Sequence, residues 1–264
     1  MSSGRYIYNQ RSLYNISLSK DIYRTRNHIA NTMSKTGAIL FVFTSADKLL
    51  NGAATGWYLP EAAHPYYALA PHFRIDSVSP NGGEAPIDDN SVKMFTDEES
   101  QRFLNDTKAQ ELYKKTQKVA DVNAADYDAI FVIGGHGPLI DLAKSTEFAK
   151  LVEDFYTSKK PVAAVCHGPG ALVLAKNPAT SKSIISGVNV TGFSNAEEAQ
   201  TPYNDFVNIL PFSLEDKLQE LGGKYSKAEQ DWGVKVIWDQ GVLTGQNPAS
   251  AGPLGEKLRE ILLA

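Results

Sequence analysis

Short apolar runs alternating with helix-forming stretches constrain this chain more than anything else in it. AILFVFTS (38–45) is continuously apolar until it closes on polar residues, as a strand must be when both faces of a parallel sheet are covered. RIDSVSP (74–80), AIFVIGG (129–135) and VAAVC (162–166) read as three further strands. Between them lie LPEAAHPYYAL, a helix with Glu61 near its start that Pro60 and Pro65 should keep short or irregular, and a helix over 146–156. Another helix should open near Gly168. Strand and helix in alternation predict a doubly wound, mostly parallel α/β sheet with right-handed crossovers.

The connection from about 82 to 120 is too long for a simple loop. Its second half carries Phe103, Leu104, Tyr113 and Val119 at helical spacing, so a helical cap insertion beside the sheet is expected. VKVIWDQGVLTG (234–245) reads as an antiparallel hairpin, and Pro248 or Ser250 as the start of a terminal helix. Residues 37–264 are expected to form one domain. Residues 1–36 differ: Arg5, Arg11, Lys20, Arg24, Arg26 and Lys35 stand against one acid, Asp21. That composition suits a mitochondrial transit peptide. The alternative is a disordered leader, or sequence upstream of the true start, because Met33 begins MSKTGAILFVFTS and would make a natural start.

Composition narrows the class of function. A formal net charge of −4 offers no overall attraction for nucleic acid or anionic lipid, and no apolar run approaches the roughly 20 residues of a membrane span. Neither nucleic acid nor a membrane is an expected partner. One cysteine in 264 residues rules out an intrachain disulfide and a Cys-rich zinc site. It also points to a reducing compartment, the cytoplasm or nucleus, with the mitochondrion as the alternative if 1–36 is a true transit peptide.

That cysteine, Cys166, ends the fourth strand and is followed by His167-Gly168-Pro169-Gly170 and the apolar ALVLA. An apolar strand, a nucleophile and a run of small residues form the pattern of a nucleophile elbow, where a sharp turn lifts the nucleophile above the sheet. A helix N-terminus facing the sulfur, with a histidinium beside it, would favour the thiolate and offer N–H groups to an oxyanion. Other polar features fall at strand ends, where α/β sheets bind ligands. These are Thr44 and Ser45; Gly134, Gly135 and His136 in GGHG; Glu61 in the element after the first strand; and Glu197 and Glu198 in TGFSNAEEAQT. The adjacent glutamates could equally be acids complementing a helix dipole. His64 and His72 lack a partner at metal-ligand spacing and read as structural, and no metal site is indicated.

AVCHGPGAL, IGGHG, PEAAHPY, TGFSNAEEA and TGQNPASA, in this order, resemble the DJ-1/PfpI superfamily, which has the flavodoxin-like, class I glutamine amidotransferase-like fold. The likeness spans essentially 37–264 and is strongest to the fungal branch of heat-shock chaperones that are also glutathione-independent glyoxalases (glyoxalase III). It implies Cys166 as nucleophile, His167 as the histidine beside it, Glu198 as the third, acidic member, and Glu61 as the carboxyl contacting the thiol. The amides of Gly135 and His167 would form an oxyanion site beside Gly134, with His136 lining the pocket. Glu197 stands where close relatives tend to have a small residue, so either glutamate could face His167.

The activity so implied is a lyase reaction that converts methylglyoxal and water to lactate through a cysteine hemithioacetal and thioester, without a cofactor. The expected partners are a small dicarbonyl substrate, misfolded client proteins and a second copy in a homodimer. A chaperone using exposed apolar surface near Tyr58, Tyr66 and Tyr67, a deglycase, a cysteine peptidase and a redox sensor are the other readings of the same residues. A glutamine amidotransferase proper is excluded, because no histidine follows His167.

Overall fold

The structure, a computed structural model, describes residues 37–201 and 206–264. The basic segment 1–36, and with it the expected leader, lies outside the described residues. Among the described residues nine strands form: β1 (Ala38–Val42), β2 (Arg74–Ser79), β3 (Gln117–Lys118), β4 (Ala129–Val132), β5 (Val162–Val165), β6 (Asn189–Val190), β7 (Lys224–Tyr225), β8 (Val236–Asp239) and β9 (Val242–Gly245). The main sheet has seven of them in the order β3-β2-β1-β4-β5-β9-β8. All its pairings are parallel except β8 with β9. β6 and β7 make a separate parallel pair.

The order explains where a site belongs. From β1 the chain moves outward to β2 and β3, then returns to β4 on the other side of β1. Such a reversal opens a crevice beyond the carboxyl ends of the neighbouring strands, because the flanking connections diverge there. β1, β4 and β5 are buried at every position, matching the continuous apolar runs of the sequence. Phe41 and Phe131 are register partners across β1 and β4, with ring centroids 5.0 Å apart.

The helices are α1 (Leu59–Leu69), α2 (Asp89–Met94), α3 (Glu98–Asn105), α4 (Thr107–Lys114), α5 (Gly137–Ile140), α6 (Thr146–Thr157), α7 (Asn195–Glu198), α8 (Phe206–Ile209), α9 (Leu214–Glu220) and α10 (Ala251–Leu263). α2, α3 and α4 fill the 82–120 connection. Each is opened by an aspartate, Asp88, Asp97 or Asp106, whose carboxylate accepts free backbone N–H groups of the first turn. Phe103 of α3 inserts among Trp57, Tyr66 and Tyr113, at centroid distances of 6.1, 5.4 and 6.1 Å. The insertion thereby shares the main core through α1.

Several expectations need correction. α1 is a continuous helix of 11 residues despite its prolines. Pro60 sits in the first turn, where an N–H would be free anyway, and Pro65 costs one hydrogen bond that the packed surroundings outweigh. Tyr66 is buried and Tyr67 half-buried, so these two residues supply little exposed apolar surface. Val119 belongs to a 3₁₀ turn after β3, not to the helical run. The hairpin forms with Gln240 and Gly241 at φ +48° and +87°, a pair of left-handed residues as a tight two-residue turn requires. Among the described residues no helix is long and apolar enough to cross a membrane.

Candidate active site

β5 ends at Val165 and the next residue, Cys166, has φ +60°. A non-glycine residue there costs about 1–3 kcal/mol and persists only where its surroundings hold it. They do so on both sides: Cys166 N–H donates to the Gly245 carbonyl of β9 at 2.9 Å, and its carbonyl accepts from Phe193 N–H at 2.9 Å. The strained turn projects the sulfur beyond the sheet. The helix expected after it is only a 3₁₀ stretch, Gly168–Leu172. Pro169 lacks an N–H and Gly168 and Gly170 are poor helix formers, so little dipole develops to favour a thiolate.

Glu61 comes from the first turn of α1 and is fully buried. A Cβ on Gly134 would collide with Glu61 Oε2 and lie 2.9 Å from Cys166 Cβ, so only glycine lets the carboxyl approach the elbow. Gly135, at φ +87°, packs against the backbone of residues 56–58 just before α1, which seats that helix over the thiol. Neither Glu61 oxygen has a partner with full hydrogen-bond geometry. Cys166 Sγ and the N–H groups of Gly134 and Gly135 are nonetheless its near neighbours. Burial, the largest influence, pushes the Glu61 carboxyl well above its usual range, which favours the protonated form.

On the other side of the sulfur, His167 Nδ1 lies 3.4 Å from Sγ and His167 Nε2 lies 2.7 Å from Glu198 Oε2. His136 Nε2 meets the other oxygen, Oε1, at 2.9 Å. The two imidazoles sit 4.3 Å apart between centroids, and Phe193 covers His167 at 4.6 Å. Burial would raise Glu198, but His167 and then His136 outweigh it and hold the carboxyl well below the ordinary range. Glu198 is therefore an ionised acceptor for two ring N–H donors.

Glu197 has a different task. It closes a capping box with Ser194: the Ser194 side chain accepts from Glu197 N–H, and Glu197 Oε2 accepts from Ser194 N–H at 3.0 Å. Its Oε1 accepts from Trp232 N–H, Gln246 Nε2 and Asn247 Nδ2 at 2.9, 2.9 and 2.7 Å. Burial without a cation is tolerated because every lone pair is used. α7 thus holds one glutamate as an anchor and offers the next to the histidines. Trp232, Gln246 and Asn247 were not legible as contributors, although the polar TGQN run at the end of β9 was a signal.

The remaining candidates fall elsewhere. Thr44 Oγ1 and Ser45 N–H both donate to Asp141 Oδ2, at 2.9 and 2.7 Å, and so brace the turn after β4. His64 pairs with Asp97 at 3.0 Å on the surface of α1.

The expected histidinium does not arise. Burial first, and His136 second, lower the basicity of His167, while burial and then the neighbouring Glu61 push the Cys166 thiol well up. The resting site is therefore a thiol facing a neutral imidazole. Because Nε2 must donate to the Glu198 carboxylate, the lone pair of His167 faces the sulfur at Nδ1. That geometry lets the imidazole take the thiol proton as sulfur attacks an electrophile, with Glu198 stabilising the resulting imidazolium. His136, His167 and Glu198 also place one ligand atom each within 4.8 Å of one another, so these three could hold a metal ion.

Residues 53–260 match the DJ-1/PfpI family. The Saccharomyces cerevisiae protein named glutathione-independent glyoxalase HSP31 is 30% identical over 219 residues, 81% of this chain and 92% of the yeast protein. The X-ray structure of Francisella tularensis Rapid Encystment Protein 24 KDa superposes with a TM-score of 0.79 at 38% identity, over 85% of this chain and 98% of that one. The crystal structure of glyoxalase III from Candida albicans gives 0.76 at 27% identity, over 84% and 96%. With its elbow, its flavodoxin-like sheet and this match over most of its length, the chain belongs to the DJ-1/PfpI family.

Proposed function

We propose that the protein is a glutathione-independent glyoxalase that converts methylglyoxal and water to lactate. One observation carries the reading: a strained, buried Cys166 with a fully buried carboxyl, Glu61, on one side and a carboxylate-bound imidazole, His167, on the other. The relatives bearing the glyoxalase name support it. Methylglyoxal needs a soft nucleophile for its aldehyde and a way to move one proton between neighbouring carbons.

In this mechanism Cys166 Sγ bonds to the aldehyde carbon as its proton passes to His167 Nδ1. The carbonyl π pair moves to oxygen, where the N–H groups of Gly135 and His167 hold it until Glu61 supplies a proton. The ionised Glu61 then takes the proton from the former aldehyde carbon, leaving an enediolate, and returns it to the neighbouring carbon. The first carbon is oxidised and the second reduced, so no external electron carrier is needed. The product is a lactate thioester. The ionised Glu61 takes a proton from the attacking water as it hydrolyses the thioester, and His167 returns its proton to the leaving sulfur, which restores the thiol, the neutral imidazole and the protonated carboxyl. Each such proton transfer contributes about 10²–10⁴-fold.

The test is lactate formation from methylglyoxal in the absence of glutathione. The parent protein should produce it and Cys166→Ala should not; equal production by both would refute the reading.

A further inference from the structure

The mechanism uses Glu198 to orient His167 but gives no task to the second imidazole, His136, which occupies the other carboxylate oxygen. Two imidazole nitrogens and one carboxylate, all buried and with ligand atoms within 4.8 Å, are a set of donors that borderline cations favour. We propose that His136 Nε2, His167 Nε2 and Glu198 bind a divalent cation of the zinc class, and that its occupancy switches the thiol chemistry off.

The distances allow it. Zinc–nitrogen and zinc–oxygen bonds of about 2.0–2.2 Å place neighbouring ligand atoms about 3–3.5 Å apart. The two nitrogen–oxygen separations are 2.9 and 2.7 Å, to different oxygens of Glu198, and all three ligand atoms lie within 4.8 Å of one another, so small rotations of the two rings and the carboxylate would bring them to bonding distance. Metal ligation uses the neutral form of each imidazole, so the liganded set carries the single negative charge of the carboxylate, which a dication balances with one charge to spare. A supporting shell is present: Thr201 Oγ1 donates to the Glu198 carbonyl at 2.8 Å, the Glu197 network fixes α7, and Phe193 covers the His167 ring. His136, the most exposed of the three at 8%, gives the cation its approach.

Binding needs the Nε2 lone pair of each imidazole, so in His167 the ring proton moves from Nε2 to Nδ1. In His167 the relocated proton points at Cys166 Sγ, 3.4 Å away. The base that should accept the thiol proton then presents a proton of its own. Metal binding is independent of the glyoxalase reading; the loss of turnover rests on it.

The experiment titrates tag-free, EDTA-treated protein with zinc against a chromophoric chelator. The parent should take up one zinc that survives His64→Ala, a surface control, and that Cys166→Ser retains within about twofold. His136→Ala should weaken it at least tenfold, as should His136→Gln, which keeps a hydrogen-bonding group without an imidazole. No uptake up to millimolar zinc, or binding retained in both His136 variants, would overturn the site. A comparable loss in Cys166→Ser would overturn it in favour of a thiolate site. Zinc should also abolish lactate formation, and EDTA should restore it; uninhibited turnover at saturating zinc refutes the switch. Zinc bound with this pattern in a protein that makes no lactate even when metal-free would leave the site standing and remove the glyoxalase reading.

Discussion

Glu198 and His167 meet at 2.7 Å through Oε2 and Nε2, and that single bond decides which ring nitrogen faces the thiol. A carboxylate can only accept, so Nε2 carries the proton and Nδ1, 3.4 Å from Cys166 Sγ, is the base. Glu198→Gln leaves one amide oxygen for two histidine donors. Steady-state assays should show kcat lower by about 10²–10⁴-fold with a much smaller change in KM. An unchanged kcat would remove Glu198 from the relay.

The pH profile reports the same base. Burial and His136 lower His167 from its ordinary value of 6.5, so the acid limb of kcat/KM should fall below pH 6.5. In His136→Asn that second influence on His167 is gone, and the limb should move to higher pH. A parent limb above pH 6.5 would contradict the assignment.

Glu61 links the site to stability. Its folded value lies above its ordinary 4.5, so the native state holds a proton that the unfolded chain has released. Between those two values stability falls as pH rises, by about 1.4 kcal/mol per unit. Glu61→Gln carries no such proton. Its denaturant midpoint should exceed the parent's by a margin that widens as pH rises above about 4.5, while turnover drops. A constant margin across pH would show that Glu61 is ionised in the native protein.

The adjacent glutamates should separate by measurement. Glu197→Ala strips partners from Ser194, Trp232, Gln246 and Asn247 in a buried position. Urea unfolding should show a loss of about 3–5 kcal/mol. Glu198→Gln should lose far less stability and far more activity. Equal stability losses would mean that both residues serve only the fold.

How much of this was legible depends on whether a feature is local. β1, β4 and β5 were readable because strands buried on both faces leave unbroken apolar runs, and the Cys166 elbow because its glycines mark a crowded turn. The three aspartates that cap α2, α3 and α4 stand openly in the sequence at 88, 97 and 106. The division of labour between Glu197 and Glu198 was not readable. It depends on Trp232, Gln246 and Asn247, which only the closure of β9 against β5 brings near α7. The protonation of the thiol was misjudged for a similar reason. Burial keeps His167 neutral, burial and the neighbouring Glu61 raise the Cys166 thiol, and a 3₁₀ turn replaces the expected helix.

The central claim is a covalent one, and rapid-quench mass spectrometry tests it most directly. Protein mixed with methylglyoxal and quenched within one turnover should carry the mass of one methylglyoxal on Cys166, mapped by peptide digestion, and the adduct should decay as lactate appears. Lactate formed at the full rate while Cys166 stays unmodified, or an adduct that persists after lactate formation is complete, would contradict the account.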